Sequence, residues 1–281
     1  MQQSRMLRKA WWLPVLLAVW KGLPAAEPVE RSADYVDAMA REHAADQPLA
    51  AAASGEAATG VVGAEVDYGP GRGYLARPAG TPRAGLVVIH EWWGLNDNIR
   101  EMSNRLAAEG YLALAVDLYE GEVAGEPGEA RALMQALMRD EDRATTHLVG
   151  ALRWLESQGG VAEVGSIGWC LGGAMSLRLA LQLPEELDAA VIYYGRLVTD
   201  PAELAPLRMP ILGIFGAQDR GIPVESVREF EMALQALGKT HQIVVYDNAD
   251  HAFANPSGTR YQPEAAADAW QRTLAFLDEY L

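Results

Sequence analysis

The chain has 281 residues, half of them hydrophobic and 22% charged, a composition that allows a sizeable buried core in one large domain or two small ones. Acidic residues outnumber basic ones by 38 to 23, giving a formal net charge of -15; this argues against nucleic acid as a partner and disfavours an anionic membrane surface. The single cysteine, Cys170, rules out an intrachain disulfide and a cysteine-based metal cluster.

Arg5, Arg8 and Lys9 precede an apolar run at 10–20, and Ala25 and Ala26 follow as small residues, so residues 1–26 read as an export signal. The run is short for a membrane span of about 20 residues. A periplasmic or secreted protein is expected, with no stable membrane association unless the leader stays uncleaved as an anchor. Residues 27–60 read as a spacer. An amphipathic helix over 32–45 would carry Tyr35, Met39 and His43 on one side, and an Ala-rich stretch of flexible-linker composition follows it. No chemistry is assigned there, and His43 is expected to be solvated.

Residues 61–281 alternate between strand and helix. Strands are expected at 61–68 and 73–77 around the turn Gly69-Pro70-Gly71, and at 86–90, a continuous apolar run of the kind buried on both faces. A helix at 98–109, stopped by Gly110, leads to a strand at 111–116. Residues 129–157 read as two helices broken near Asp140. Strands at 164–169, 189–194, 211–215 and 242–246 alternate with helices at 172–183 and 224–237. A closing helix at 265–280 should turn Ala266, Trp270, Leu274 and Leu277 inward. This order predicts one α/β domain, a mostly parallel central sheet with helices on both faces and its active edge at the C-terminal strand ends.

The motifs fall on that edge. Gly168-Trp169-Cys170-Leu171-Gly172 matches G-x-S-x-G with cysteine in place of serine, between an expected strand and an expected helix, as a nucleophile elbow requires. The N-terminal amides of that helix would lower the thiol pKa, and Leu171 would supply one oxyanion-hole amide. Asp219 follows the strand at 211–215 and His251 lies just past the last strand, so the order is Cys, Asp, His, the triad order of α/β-hydrolases. His90-Glu91-Trp92-Trp93-Gly94 ends the strand at 86–90. There Trp92 is the candidate second oxyanion amide, Trp93 a candidate substrate contact, and His90 reads as a packed structural residue facing the other way.

With these stretches, together with Asp117-Leu118-Tyr119, Tyr193-Tyr194-Gly195 and His251-Ala252-Phe253-Ala254, the chain resembles the dienelactone hydrolase (carboxymethylenebutenolidase) family over 61–281. The resemblance implies an α/β-hydrolase fold, a Cys170-His251-Asp219 triad, and a Glu91 that pairs with the resting thiol and takes up its proton when substrate binds. It also implies two arginines for a substrate carboxylate. One falls loosely at Arg131, and at the other position this sequence has Asn255, which suits a neutral or weakly polar acyl group better than an anion. The expected activity is hydrolysis of small carboxylic esters or lactones through an acyl-thioester, with no cofactor and no metal. The alternatives are another acyl-transfer hydrolase, acting on a thioester or an envelope ester, and a non-catalytic binding protein that keeps the fold.

Overall fold

The structure, a computed structural model, describes residues 29–44, 46 and 60–281. The export signal expected over 1–26 and the linker segment 47–59 lie outside the described residues. Among the described residues no helix is long and apolar enough to cross a membrane.

Eight strands form one sheet: β1 (Val62–Asp67), β2 (Arg72–Arg77), β3 (Gly85–Ile89), β4 (Leu112–Val116), β5 (Val164–Trp169), β6 (Ala189–Tyr193), β7 (Ile211–Gly216) and β8 (His241–Tyr246). Their order is β1-β2-β4-β3-β5-β6-β7-β8. The β1–β2 and β2–β4 pairs are antiparallel and every other pair is parallel. Strands β3 to β7 are buried along their whole length, whereas β1 and β8 are the partly exposed edges. This explains why the central strands read as unbroken apolar runs.

The helices are α1 (Val29–Glu42), α2 (Asp97–Ala108), α3 (Pro127–Arg139), α4 (Glu141–Trp154), α5 (Leu171–Gln182), α6 (Pro201–Leu204), α7 (Val224–Ala236) and α8 (Pro263–Tyr280). Helices α2 and α8 share one face of the sheet, with the Arg105 guanidinium 4.1 Å over the Trp270 ring. Helices α4 and α5 pack together on β3 and β5, where Arg178 donates to Glu141 Oε2 at 2.6 Å. The break expected near Asp140 falls at that residue, whose side chain accepts from the Arg143 amide and caps α4.

Three departures from the sequence reading have local causes. Four-residue α6 is too short to show a period; Pro201 in its first turn and the Asp200 side chain, which accepts from the Ala202 amide, set it. The buried face of α8 is Ala269, Trp270, Thr273, Phe276 and Leu277, while Ala266 and Leu274 stay partly exposed. The third departure matters most, because α1 is no detached spacer. Tyr35, Val36 and Met39 join the core, and His43, just past the end of α1, is only 2% exposed rather than solvated.

Candidate active site

Strand β3 pairs with β4 on one side and β5 on the other, so the loops leaving β3 and β5 open beside each other at the point where the strand order reverses. The loop after β3 begins His90-Glu91-Trp92, and the turn after β5 is Cys170. His90 is fully buried and does not face the site. Its Nδ1 donates to the Glu91 carbonyl at 2.5 Å and its Nε2 accepts from the Leu118 amide at 3.2 Å, tying the β3 and β4 loops together.

Cys170 has φ 56° and ψ -117°, a left-handed backbone that costs a non-glycine residue roughly 1–3 kcal/mol. Its amide donates to the Tyr193 carbonyl at 3.0 Å, anchoring the elbow to β6. The flanking glycines serve close approach: a Cβ on Gly172 would lie 2.1 Å from the Ile89 carbonyl oxygen, and one on Gly168 would lie 2.1 Å from that of Gly172. Leu171 opens α5, where the first amides have no intrahelical partner.

Asp219 and His251 meet beneath this turn. Asp219 Oδ1 accepts from the Gly221 and Ile222 amides, both at 2.8 Å, and Oδ2 accepts from His251 Nδ1 at 2.7 Å. One nitrogen of His251, one of His43 and the Cys170 sulfur all lie within 4.8 Å of one another. Burial alone would raise the thiol pKa, yet the charges and hydrogen bonds of His251 and His43 outweigh it and bring Cys170 down to about 6. Burial would likewise lower the His251 pKa, but Asp219 and Cys170 hold it well above the ordinary imidazole value. For Asp219, burial is outweighed by His251 and by the two amides, which keep the carboxyl below its ordinary value. A thiolate–imidazolium pair backed by a carboxylate is the state these forces favour.

Glu91 is 3% exposed, and burial, followed by the nearby Cys170 charge, raises its pKa to about 7. Asn255 does not wait free for substrate. Its Nδ2 donates to Glu91 Oε2 at 2.5 Å, while its Oδ1 accepts from the Ser257 amide and hydroxyl. Arg131, expected as a substrate contact, sits on α3. There the guanidinium donates to Asp37 of α1, at 2.5 Å from Nη2, and is absent from the lining of the cavity above Cys170. Trp92 and Trp93 both line that cavity, their rings 5.0 Å apart.

Three ionisable cavity residues, His43, Asp46 and Arg260, were given no chemistry in the sequence. The His43 ring lies 4.8 Å from those of Trp92 and His251, and its Nδ1 is 2.5 Å from Asp46 Oδ2. Arg260 donates to the same carboxylate oxygen at 2.6 Å. Burial would raise the Asp46 pKa, but His43 and Arg260 hold it below the ordinary value. The space enclosed with Cys170 is only about 20 Å³, against some 300–1,000 Å³ for typical ligand pockets. A separate cavity of about 340 Å³ lies between α2 and α8 and touches none of Cys170, Asp219 or His251.

Comparison with known proteins gives a consistent result. The model of the dienelactone hydrolase family matches residues 72–281. A protein of Saccharolobus solfataricus assigned the name carboxymethylenebutenolidase is 32% identical over 243 residues, covering 73% of this chain and 93% of that one. A crystal structure assigned as a dienelactone hydrolase from Klebsiella pneumoniae is 33% identical, covers 78% of this chain and 99% of its own, and superposes with a TM-score of 0.70. A dienelactone hydrolase-like promiscuous phosphotriesterase from metagenomic libraries is 26% identical, with coverages of 79% and 99% and a TM-score of 0.71. The family match begins at residue 72, so α1 and His43 lie outside it.

Proposed function

This chain belongs to the dienelactone hydrolase family and is a carboxylic ester hydrolase, and from that premise we propose that it cleaves small carboxylic esters or lactones with Cys170 as its nucleophile. The observation that carries this reading is the thiol at the strained elbow, facing an imidazole whose other nitrogen is held by Asp219 at 2.7 Å.

In the proposed cycle the Cys170 thiolate attacks the acyl carbon. The amides of Leu171 and Trp92 receive the oxyanion, and removal of such a donor typically costs about 100- to 1,000-fold in rate. The tetrahedral intermediate collapses by breaking the carbon–oxygen bond, with the imidazolium of His251 protonating the departing alkoxide. This leaves a thioester on Cys170 and a neutral His251. Water then attacks the thioester, His251 takes its proton, and carboxylic acid and thiolate are released. Glu91, with its carboxyl near 7, is the group that would take up the proton in the minority of molecules whose Cys170 is still a thiol as substrate arrives. An ester does not fit the space now enclosed, so the wall formed by His43 and Asp46, which follow the docked α1, must yield before substrate reaches the sulfur. We further propose that residues 1–26 export the enzyme; fractionation with the tagged full chain found only in cytoplasm would end that reading.

The test is hydrolysis of a panel of p-nitrophenyl esters and neutral lactones by wild type and Cys170→Ala, with mass spectrometry of the enzyme during turnover of a slow ester. Turnover and an acyl adduct in the wild type alone are expected. Equal turnover by Cys170→Ala would refute the proposal.

A further inference from the structure

The cavity above Cys170 is too small for an ester but has the size of one water molecule or one ion. The sulfur and the His43 imidazole line it, and a nitrogen of His251 lies within 4.8 Å of both; each imidazole has Nδ1 held against a carboxylate, His251 by Asp219 and His43 by Asp46. This leaves two buried Nε2 atoms whose remaining neighbour is the Cys170 sulfur, and neither has another hydrogen-bond partner among the described residues. Hydrolysis by the triad uses one of these imidazoles, and nothing in that cycle requires the second.

We propose that Cys170, His251 and His43 form a binding site for a single thiophilic divalent cation, such as zinc, whose occupancy blocks hydrolysis. The donor set is one thiolate and two imidazoles, the soft and borderline ligands that zinc takes in tetrahedral sites, with a fourth position left for water. With Zn–N near 2.0–2.1 Å and Zn–S near 2.3 Å, the ligand atoms of such a tetrahedral set stand about 3.3–3.6 Å apart. The three candidate atoms already lie within 4.8 Å of one another, so closing on an ion takes shifts of an ångström or less. A carboxylate behind each imidazole is the usual outer arrangement of histidine metal ligands, fixing the tautomer and orienting the ring. The thiolate with Asp219 and Asp46 supplies three negative charges, with the Glu91 carboxyl beside the thiol, while Arg260 stands against Asp46, His43 Nδ1 and, at 3.7 Å, Glu42.

The site would join two parts of the chain, since His43 follows α1 and the other two ligands belong to the family-matched residues. A bound ion would therefore fasten α1 over Cys170 while occupying the lone pair that attacks substrate. Ion binding does not depend on Cys170 being the nucleophile; only the accompanying loss of turnover rests on that reading.

The experiment titrates the chelator-treated full chain with Co²⁺, reading the thiolate-to-cobalt charge-transfer band and the strong visible bands of tetrahedral cobalt, and then displaces it with Zn²⁺. One equivalent should bind wild type, and Cys170→Ala should lose the charge-transfer band. Since outer-shell losses alone cost about 10- to 100-fold in metal affinity, Asp46→Asn should fall in that range and His43→Ala beyond it. Asp46→Asn retains all three ligands, so the proposal stays testable if His43→Ala releases α1. In parallel, Zn²⁺ should inhibit wild-type ester hydrolysis reversibly by chelator, at concentrations at least about tenfold lower than for Asp46→Asn. No cobalt band in the wild type, or unchanged affinity in both His43→Ala and Asp46→Asn, would overturn the site. A normal cobalt titration with no hydrolysis of any ester would instead keep the site and reject the proposed activity.

Discussion

Replacing Asp219 by asparagine isolates the force that ionises Cys170. The amide oxygen can still accept from the Gly221 and Ile222 amides, so the loop keeps its two 2.8 Å anchors. What changes is the group facing His251: an NH₂ now points at Nδ1, which must become an acceptor, leaving the proton on Nε2. His251 can then neither stay charged easily nor take a proton from the thiol. The wild-type thiol at about 6 is roughly 90% ionised at pH 7, whereas at the ordinary value of 9.0 only about 1% is. A return to that ordinary value would lower the alkylation rate at pH 7 about 90-fold. The actual shift should be smaller because His43 still favours the thiolate. The assay is the pH dependence of iodoacetamide labelling of Cys170, followed by mass spectrometry. A midpoint near 6 in wild type that rises by at least about one unit in Asp219→Asn is expected, with ester turnover down by about 10⁴-fold, as for the equivalent exchange in a Ser-His-Asp triad. A midpoint that stays near 6 would show that the Asp219–His251 pair does not set the thiolate, refuting the electrostatic argument.

Other perturbations test the surroundings. The folded Glu91 carboxyl binds its proton more tightly than in the unfolded chain, at about 7 against 4.5, so its stabilising effect is complete below about 4.5 and lost as pH rises through 7. Glu91→Gln should therefore gain on wild type by up to about 3 kcal/mol between pH 4.5 and 8 in thermal or denaturant unfolding, and a pH-independent difference would count against a raised Glu91. Met39 is fully buried, its sulfur beside Gly221, so Met39→Ala should weaken α1 docking by about 2–5 kcal/mol. If α1 restricts entry, kcat/KM for bulky esters should rise in that variant; a fall for all esters would contradict it. Gly172→Ala should prevent the elbow from forming, because its methyl would overlap the Ile89 carbonyl; a soluble variant with wild-type activity would disprove that contact.

The parts of the site legible in sequence were those written into strand ends. Cys170, Asp219 and Glu91 each follow a buried apolar strand and His251 follows the edge strand β8, and a parallel sheet brings such ends together whatever the intervening chain does. His43 was illegible for the opposite reason. The stripe of Tyr35, Met39 and His43 at four-residue spacing was visible, but an amphipathic face states only that it will be covered, not by what. Cys170, His251 and Arg260, which His43 meets, lie more than a hundred residues further along, and no local period encodes that docking. Arg131 shows the same limit from the other side. A cation at a loosely matching position was read as a substrate anchor, yet its place on α3 faces the acidic Asp37 of α1, so it fastens the helix instead. Asn255 differs again: its position near the site was legible, but its use on Glu91 depends on the Ser257 amide and hydroxyl that turn its amide group.

A helix whose docking holds His43 and Asp46 against the active site is, in kinetic terms, a competitive inhibitor that cannot be diluted away. If only a fraction of molecules has α1 withdrawn, the apparent substrate affinity is reduced by that fraction, while the rate at saturation is set by the withdrawn state. Every 1.4 kcal/mol of docking then multiplies the apparent KM tenfold. Substitutions along Tyr35, Val36 and Met39 would form a graded series in KM, and a plain steady-state assay would serve as a calorimeter for the α1 interface.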